Sequence, residues 1–244
     1  MSALIDYTLH LADNALILGQ RNSEWCGHGP ILEQDIAITN ISLDLIGQSR
    51  SLYQYAAQLK ADGSTEDSLA YLRTEREFKN CLLAEQSNGD WAQTMLRQFL
   101  FSCYQFYLYK YLQSNPDKTI AAIAEKSLKE VSYHLRWSSE WVIRLGDGTE
   151  ESRNRMLTAI DELWRYTGEL FIAAPYEIEL NIDLASLKTE WDNKVKAVME
   201  EATLPVPEKL FMQTGGKTGT HTEQLGYILS DLQYMQRAYP GCEW

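Results

Sequence analysis

The sequence predicts an all-α fold built round a four-helix bundle. Apolar side chains recur at helical spacing through most of the chain. No proline falls between Pro30 and Pro116, which permits long helices across that span. Two polar pairs, Asp44 with Gln48 and Glu130 with His134, then lie on the apolar stripes of two different predicted helices, as the inward-facing side chains of a four-helix bundle do. No convincing strand pair, internal repeat or low-complexity tract competes with this reading.

The elements follow in order. Leu4, Leu11, Ala15 and Leu18 form one stripe, predicting a first helix over about residues 2–20. The glycines and proline of NSEWCGHGP break it. A second helix is expected from about Ile31 to Leu59, with the stripe Ile31, Ile38, Ile41, Leu45, Leu52 and Leu59. ADGSTED ends it and opens a shorter helix through Tyr71, Phe78 and Leu82. SNGD at 87–90 is a turn and cap, and the next long helix, from Trp91, packs Met95, Phe99, Cys103, Phe106 and Leu108 on its stripe. Asn115-Pro116-Asp117 separates it from a helix over about 118–145, striped by Ile120, Ala124, Ser127, Val131, His134, Ser138, Trp141 and Leu145. Gly146-Asp147-Gly148 stops that helix. A further helix reaches about Phe171, another occupies about 185–202, and LPVPEKLFMQTGGKTGT forms the largest irregular stretch. Thr220-x-x-Glu223 has the spacing of a capping box and should start the final helix. The expected organisation is one domain over 1–244, with a core bundle of about 2–146 and extra helices and a loop over 149–244.

Bulk properties narrow the function classes. A hydrophobic content of 45% is ordinary for a globular domain with a sizeable core. The net charge of −12 argues against nucleic acid or an anionic membrane as a partner and fits docking on a more basic surface. MSALIDYTLH lacks the basic and apolar regions of a signal peptide, and no apolar run approaches a membrane span; a cytoplasmic location is expected. The aromatic share of 11% leaves some rings for contacts between subunits. Cys26, Cys81, Cys103 and Cys242 are scattered without a CxxC pair, which suggests reduced thiols rather than zinc or disulfides.

The chemistry turns on the polar pairs. Asp44 and Gln48 are four apart and share a helix face, as do Glu130 and His134. A carboxylate on a buried face costs several kcal/mol unless it is paired or bound to a cation. Three readings compete. A di-iron bundle takes one Glu from each of two helices and a Glu-x-x-His pair from each of the other two. Here the partner positions are Gly47 and Val131, so only Asp44 and His134 remain in register. Glu130 is one residue off, which swings it about 100° round the helix. The stretch Trp91–Pro116 contains no Asp or Glu at all. The second reading is a vestigial site turned into an internal polar network of Asp44, Gln48, Glu130 and His134, with Arg73 or Arg136 as added partners. The third is that these faces are exposed or lie at an interface.

Other motifs are weaker. GGKTG at 215–219 is no phosphate loop: Phe211 stands where the first glycine is needed and no strand precedes it. A flexible capped loop is expected, with Lys217 and His221 free to meet an anion or a partner's carboxylate. Cys26 and His28 have no third member and read as a structural turn with Trp25 as packing anchor. Four histidines, His10, His28, His134 and His221, support no nucleophilic triad. Aromatic stripes could also line a pocket for a small ligand, although such rings more often fill a core.

The segments SEWCGHGPILEQDIAITNISLDLIGQSR, LRTEREFKNCLLAEQSNGDW, KEVSYHLRWSSEWVIRLGDGT and TGGKTGTHTEQLG resemble the C subunits of bacterial phenylacetyl-CoA monooxygenases (ring-1,2-epoxidases), a likeness that covers nearly the whole chain. The resemblance implies a ferritin-like bundle that has lost its iron, and a non-catalytic structural subunit in aerobic phenylacetate catabolism. It implies a homologous A subunit as partner, which carries the di-iron centre and binds the CoA thioester. A flavin and iron–sulfur reductase subunit using NADPH would complete the complex. No catalytic residue, cofactor or metal is then expected in this chain, and in isolation it could pair with itself. The rival expectation is a catalytic di-iron subunit with an atypical set, Asp44, Glu130 and His134 plus water.

Overall fold

A computed structural model describes residues 2–208 and 210–242. Met1, Glu243 and Trp244, at the limits of the expected domain, and Lys209, in the expected loop, lie outside the described residues. The helices are α1 (Ser2–Ser23), α2 (Leu32–Lys60), α3 (Glu66–Tyr71), α4 (Leu82–Glu85), α5 (Trp91–Leu112), α6 (Lys118–Gly146), α7 (Glu150–Leu163), α8 (Pro175–Glu179), α9 (Leu184–Glu201) and α10 (Glu223–Ala238). No strand occurs among the described residues. The chain is all-α, and its long helix pairs are those of a ferritin-like helical bundle. No helix among the described residues is long and apolar enough to cross a membrane.

Local chemistry sets the helix starts. Asp90 accepts the Gln93 amide at 3.0 Å, and Asp117 accepts the Thr119 and Ile120 amides at 3.0 and 2.9 Å. Thr149 and Ser152 cap α7 reciprocally at 3.0 and 3.1 Å. Each satisfies first-turn N–H groups that have no partner within the helix.

The helices gather into two compact units. The first comprises Met1–Gln86, Ala173–Asn181 and Thr214–Trp244. In it α1 and α2 run antiparallel, since Gly19 faces Leu45 and Ile46 while Asp13 meets Tyr53. Every residue of α1 from Tyr7 to Gly19 is buried, polar ones included. The second unit comprises Ser87–Ile172 and Ile182–Gln213. Here α5 and α6 are antiparallel: Trp91 meets Trp137 and Trp141 edge-on, centroids 6.1 and 5.9 Å apart, and Tyr109, far along α5, feels the charge of Glu130. Phe171 sits between Tyr104 and Trp191, and the Trp191 indole donates to the Leu100 carbonyl at 2.9 Å. These rings fill the unit's core.

Four local expectations change. The helix expected through Tyr71, Phe78 and Leu82 breaks into α3, a 3-10 turn at Glu75–Glu77 and α4. The cause is tertiary: Asp13 on α1 takes the Lys79 amide at 2.8 Å and Asn14 the Cys81 amide at 2.7 Å, which removes both from a helical ladder. The helix expected to reach Phe171 ends at Leu163 and continues as 3-10 turns at Trp164–Tyr166 and Gly168–Phe171. Ile31, counted on the core stripe, is the residue before α2 and is exposed. The final helix is capped by Thr222, not Thr220, because the Thr220 amide bonds back to Gly215 at 2.9 Å.

Candidate functional site

The four residues singled out by the sequence lie on α2 and α6. Gln48 and His134 are buried, and Asp44 and Glu130 are half-buried. On each helix the pair therefore straddles the edge of the apolar stripe. Asp44 and Gln48 belong to the first unit, Glu130 and His134 to the second. Glu130 faces Tyr109 of α5: burial pushes the Tyr109 hydroxyl up, the Glu130 charge pushes it further, and a hydrogen bond with Gln105 opposes both. The two arginines offered to this network serve elsewhere. Arg136 is exposed, its guanidinium 5.9 Å from the Tyr133 ring centroid. Arg73 is buried in the first unit, with Asp13.

Asp13 and Arg73 open an ionic cluster that the sequence reading missed. Arg73 donates to both Asp13 oxygens, and Tyr53 donates to Asp13 at 2.5 Å. Burial would lower the Arg73 pKa, but the charge of Asp13 overrides it and holds Arg73 protonated. Burial and the same carboxylate push the Tyr53 hydroxyl well up.

A second group centres on Glu85 of α4. Its carboxylate accepts from Asn80 Nδ2 (2.8 Å), His221 Nδ1 (2.8 Å), and the amide and hydroxyl of Thr222 (2.7 and 2.8 Å). Burial would lower the His221 pKa, and the bond and charge of Glu85 reverse that and raise it.

The third joins Glu177 of α8 to Lys217, whose ammonium donates to both carboxylate oxygens at 3.1 and 3.0 Å. His10 Nε2 lies 4.0 Å from Glu177. Burial nevertheless lowers the His10 pKa to about 4 despite Glu177, so at neutral pH this is a dipolar contact. His10 Nδ1 bonds the Lys79 carbonyl at 2.7 Å.

These partners correct the expectation of a flexible capped loop at 215–219. Lys217 and His221 meet carboxylates of their own chain, and the backbone is pinned between them. Gly216 passes so close to the Asn80 carbonyl that a Cβ would stand 2.3 Å from it, and Gly219 combines a φ of +85° with an equally close Arg76 carbonyl; only glycine meets both demands. His28 bonds the Cys26 carbonyl and not its thiol, so that turn is structural. None of the four cysteines is in a disulfide.

A signal for the cluster was present in the sequence. His10, Asp13 and Asn14 are spaced three and four apart within the α1 stripe, the one-face argument applied to positions 44 and 48. Chemically, the cluster gathers opposite charges into satisfied pairs, an arrangement that fixes register and holds segments. Among the described residues, no group of three or more His, Cys, Asp or Glu side chains is placed to hold a metal ion.

Comparison with known proteins gives this architecture its context. The profile of a family described as phenylacetic acid catabolic protein matches residues 1–244. The chain is 47% identical over 249 aligned residues, covering 100% of both proteins, to the C subunit of the 1,2-phenylacetyl-CoA epoxidase of Escherichia coli (strain K12). With a match along its whole length and a relative this similar, the chain belongs to the phenylacetic acid catabolic protein family.

Proposed function

We propose that this chain is the non-catalytic structural subunit of a multicomponent phenylacetyl-CoA epoxidase in aerobic phenylacetate catabolism. It binds and supports a homologous di-iron A subunit and works in the cytoplasm beside the reductase and other subunits. The observation that carries the reading is the inward face of α5. A di-iron bundle needs a carboxylate from each of its helices. Along Trp91–Leu112 there is none, and Met95, Phe99 and Cys103 are fully buried in the interior. The full-length likeness to an epoxidase C subunit supports the same assignment.

On this reading Asp44, Gln48, Glu130 and His134 are remnants of a ligand set, kept as polar contacts. Rigidity is what a supporting subunit supplies, and the buried ionic cluster provides it. The deciding experiment is anaerobic Fe(II) reconstitution of the isolated chain followed by iron analysis. The expected result is close to zero iron per chain. About two irons per chain would overturn the proposal and make Asp44, Glu130 and His134 the ligands to replace.

A further inference from the structure

The outer side of α6 is basic in an acidic chain. Lys118, Lys126, Lys129, Arg136 and Arg144 are exposed and, with exposed Glu125 and Glu140, fall within about 100° round the helix. Five cations thus face two acids here, while the whole chain carries a net charge of −12. From Lys118 to Arg144 the stripe runs about 39 Å. Glu125–Lys129, Arg136–Glu140 and Glu140–Arg144 are each four apart, a spacing that permits pairing. Among the described residues, none of the five cations makes an ion pair or a side-chain hydrogen bond. Arg144 suits the last turn of α6, but Lys118 stands in the first, where the helix dipole opposes a cation.

Two of these guanidiniums lie over neighbouring rings. Arg136 is 5.9 Å from the Tyr133 centroid and Arg144 5.6 Å from that of Trp141. A guanidinium so placed can still offer its N–H fork to a carboxylate. Beside Arg136 a groove of about 500 Å³ opens between α5, α6 and α9, all within the second unit. Phe106, Tyr107, Leu135, Ile143 and Val198 give it apolar walls. Arg136 and Lys194 stand in its lining, and so do Glu140 and Glu201.

Charge and shape select the occupant. A stripe of this length outreaches any small molecule. A second copy meeting the same face through a two-fold axis would set cation against cation. Nucleic acid has no use for the apolar groove, and the chain's net charge of −12 repels it. An acidic protein segment carrying an apolar side chain complements both the stripe and the groove.

We infer that the outer side of α6 and the adjoining groove dock an acidic segment of another protein. Its apolar side chain sits among Phe106, Leu135 and Val198, and its carboxylates meet Lys129, Arg136 and Lys194. The test is the fluorescence anisotropy of a labelled helical peptide, rich in glutamate with one central leucine, titrated with the full chain. The wild type should bind it, and more weakly as salt is added. Lys129→Glu combined with Arg136→Glu should weaken binding about tenfold or more while the melting temperature holds. Glu140→Gln should tighten binding, a gain that misfolding does not produce. Serine in place of the peptide's leucine should also cost about tenfold. No binding by the wild type, or equal binding by the double variant, would overturn the inference. Equal binding of the leucine-free peptide, or of duplex DNA, would assign the face to polyanions at large and overturn it too. The functional proposal survives each of these failures, because iron content decides it.

Discussion

At the scale of single residues, buried His10 and half-buried His221 of the first unit are shifted in opposite senses. His10 has its pKa lowered from 6.5 to about 4, by burial above all. The unfolded chain therefore binds the proton first on acidification, and the stability of neutral His10 is lost as pH falls from about 6.5 towards 4. A difference of this size is worth about 3 kcal/mol at full protonation. His221 is raised, with the Glu85 carboxylate outweighing burial. Its contribution is fully present below the unfolded value and lost as pH rises through the folded one. Urea unfolding of the wild type and of His10→Asn between pH 7 and 4.5 separates them. The wild type should lose about 2–3 kcal/mol more than the variant over that range, because Asn can still donate to the Lys79 carbonyl but cannot titrate. Parallel pH profiles would show that His10 is not the acid-sensitive group.

At the scale of elements, Glu85 shows how one side chain holds a segment distant in sequence. Four donors converge on its carboxylate, two of them from Thr222 at the start of α10. Glu85→Ala leaves His221, Asn80 and the Thr222 amide and hydroxyl without their acceptor and frees the helix start, at a cost of about 3–5 kcal/mol. Glu85→Gln keeps one acceptor oxygen and should cost less. Amide exchange at the start of α10 should accelerate in the Ala variant before global unfolding; equal losses for Ala and Gln would mean that the charge, absent from both, carries the whole effect and the retained acceptor none. The long helices were legible because apolar spacing and the caps Asp90, Asp117 and Thr149 are local signals. The break between α3 and α4 was not, since it comes from Asp13 and Asn14, more than sixty residues away, taking amides the local pattern assigns to a helix. Thr222 escaped notice for the same reason: its amide and hydroxyl are held by Glu85 on α4. The pairs at 44/48 and 130/134 were legible as polar interruptions of apolar stripes, while the ionic cluster was hidden because α1 was read for its apolar residues alone.

At the scale of the whole molecule, a helical bundle of a kind that can surround metal here carries buried charge pairs and an acid-free α5. A chain with a net charge of −12 works against its own compactness through self-repulsion, and neutralised pairs such as Asp13–Arg73 and Glu177–Lys217 place part of that charge where it attracts. His134 tests whether any chemistry survives in this arrangement. It is fully buried on α6, and its loss is read differently by a support and by a catalyst. In a supporting subunit, His134→Leu removes a buried polar group and changes stability or assembly by about 1–4 kcal/mol. The complexes that do form with the A subunit should turn over at the parental rate per complex. In a metal-bearing subunit the same substitution abolishes iron binding and turnover together, even where assembly is intact. Epoxidation per assembled complex, measured beside the yield of complex, separates the two. A variant that folds, assembles and turns over like the parent would remove His134 from both roles.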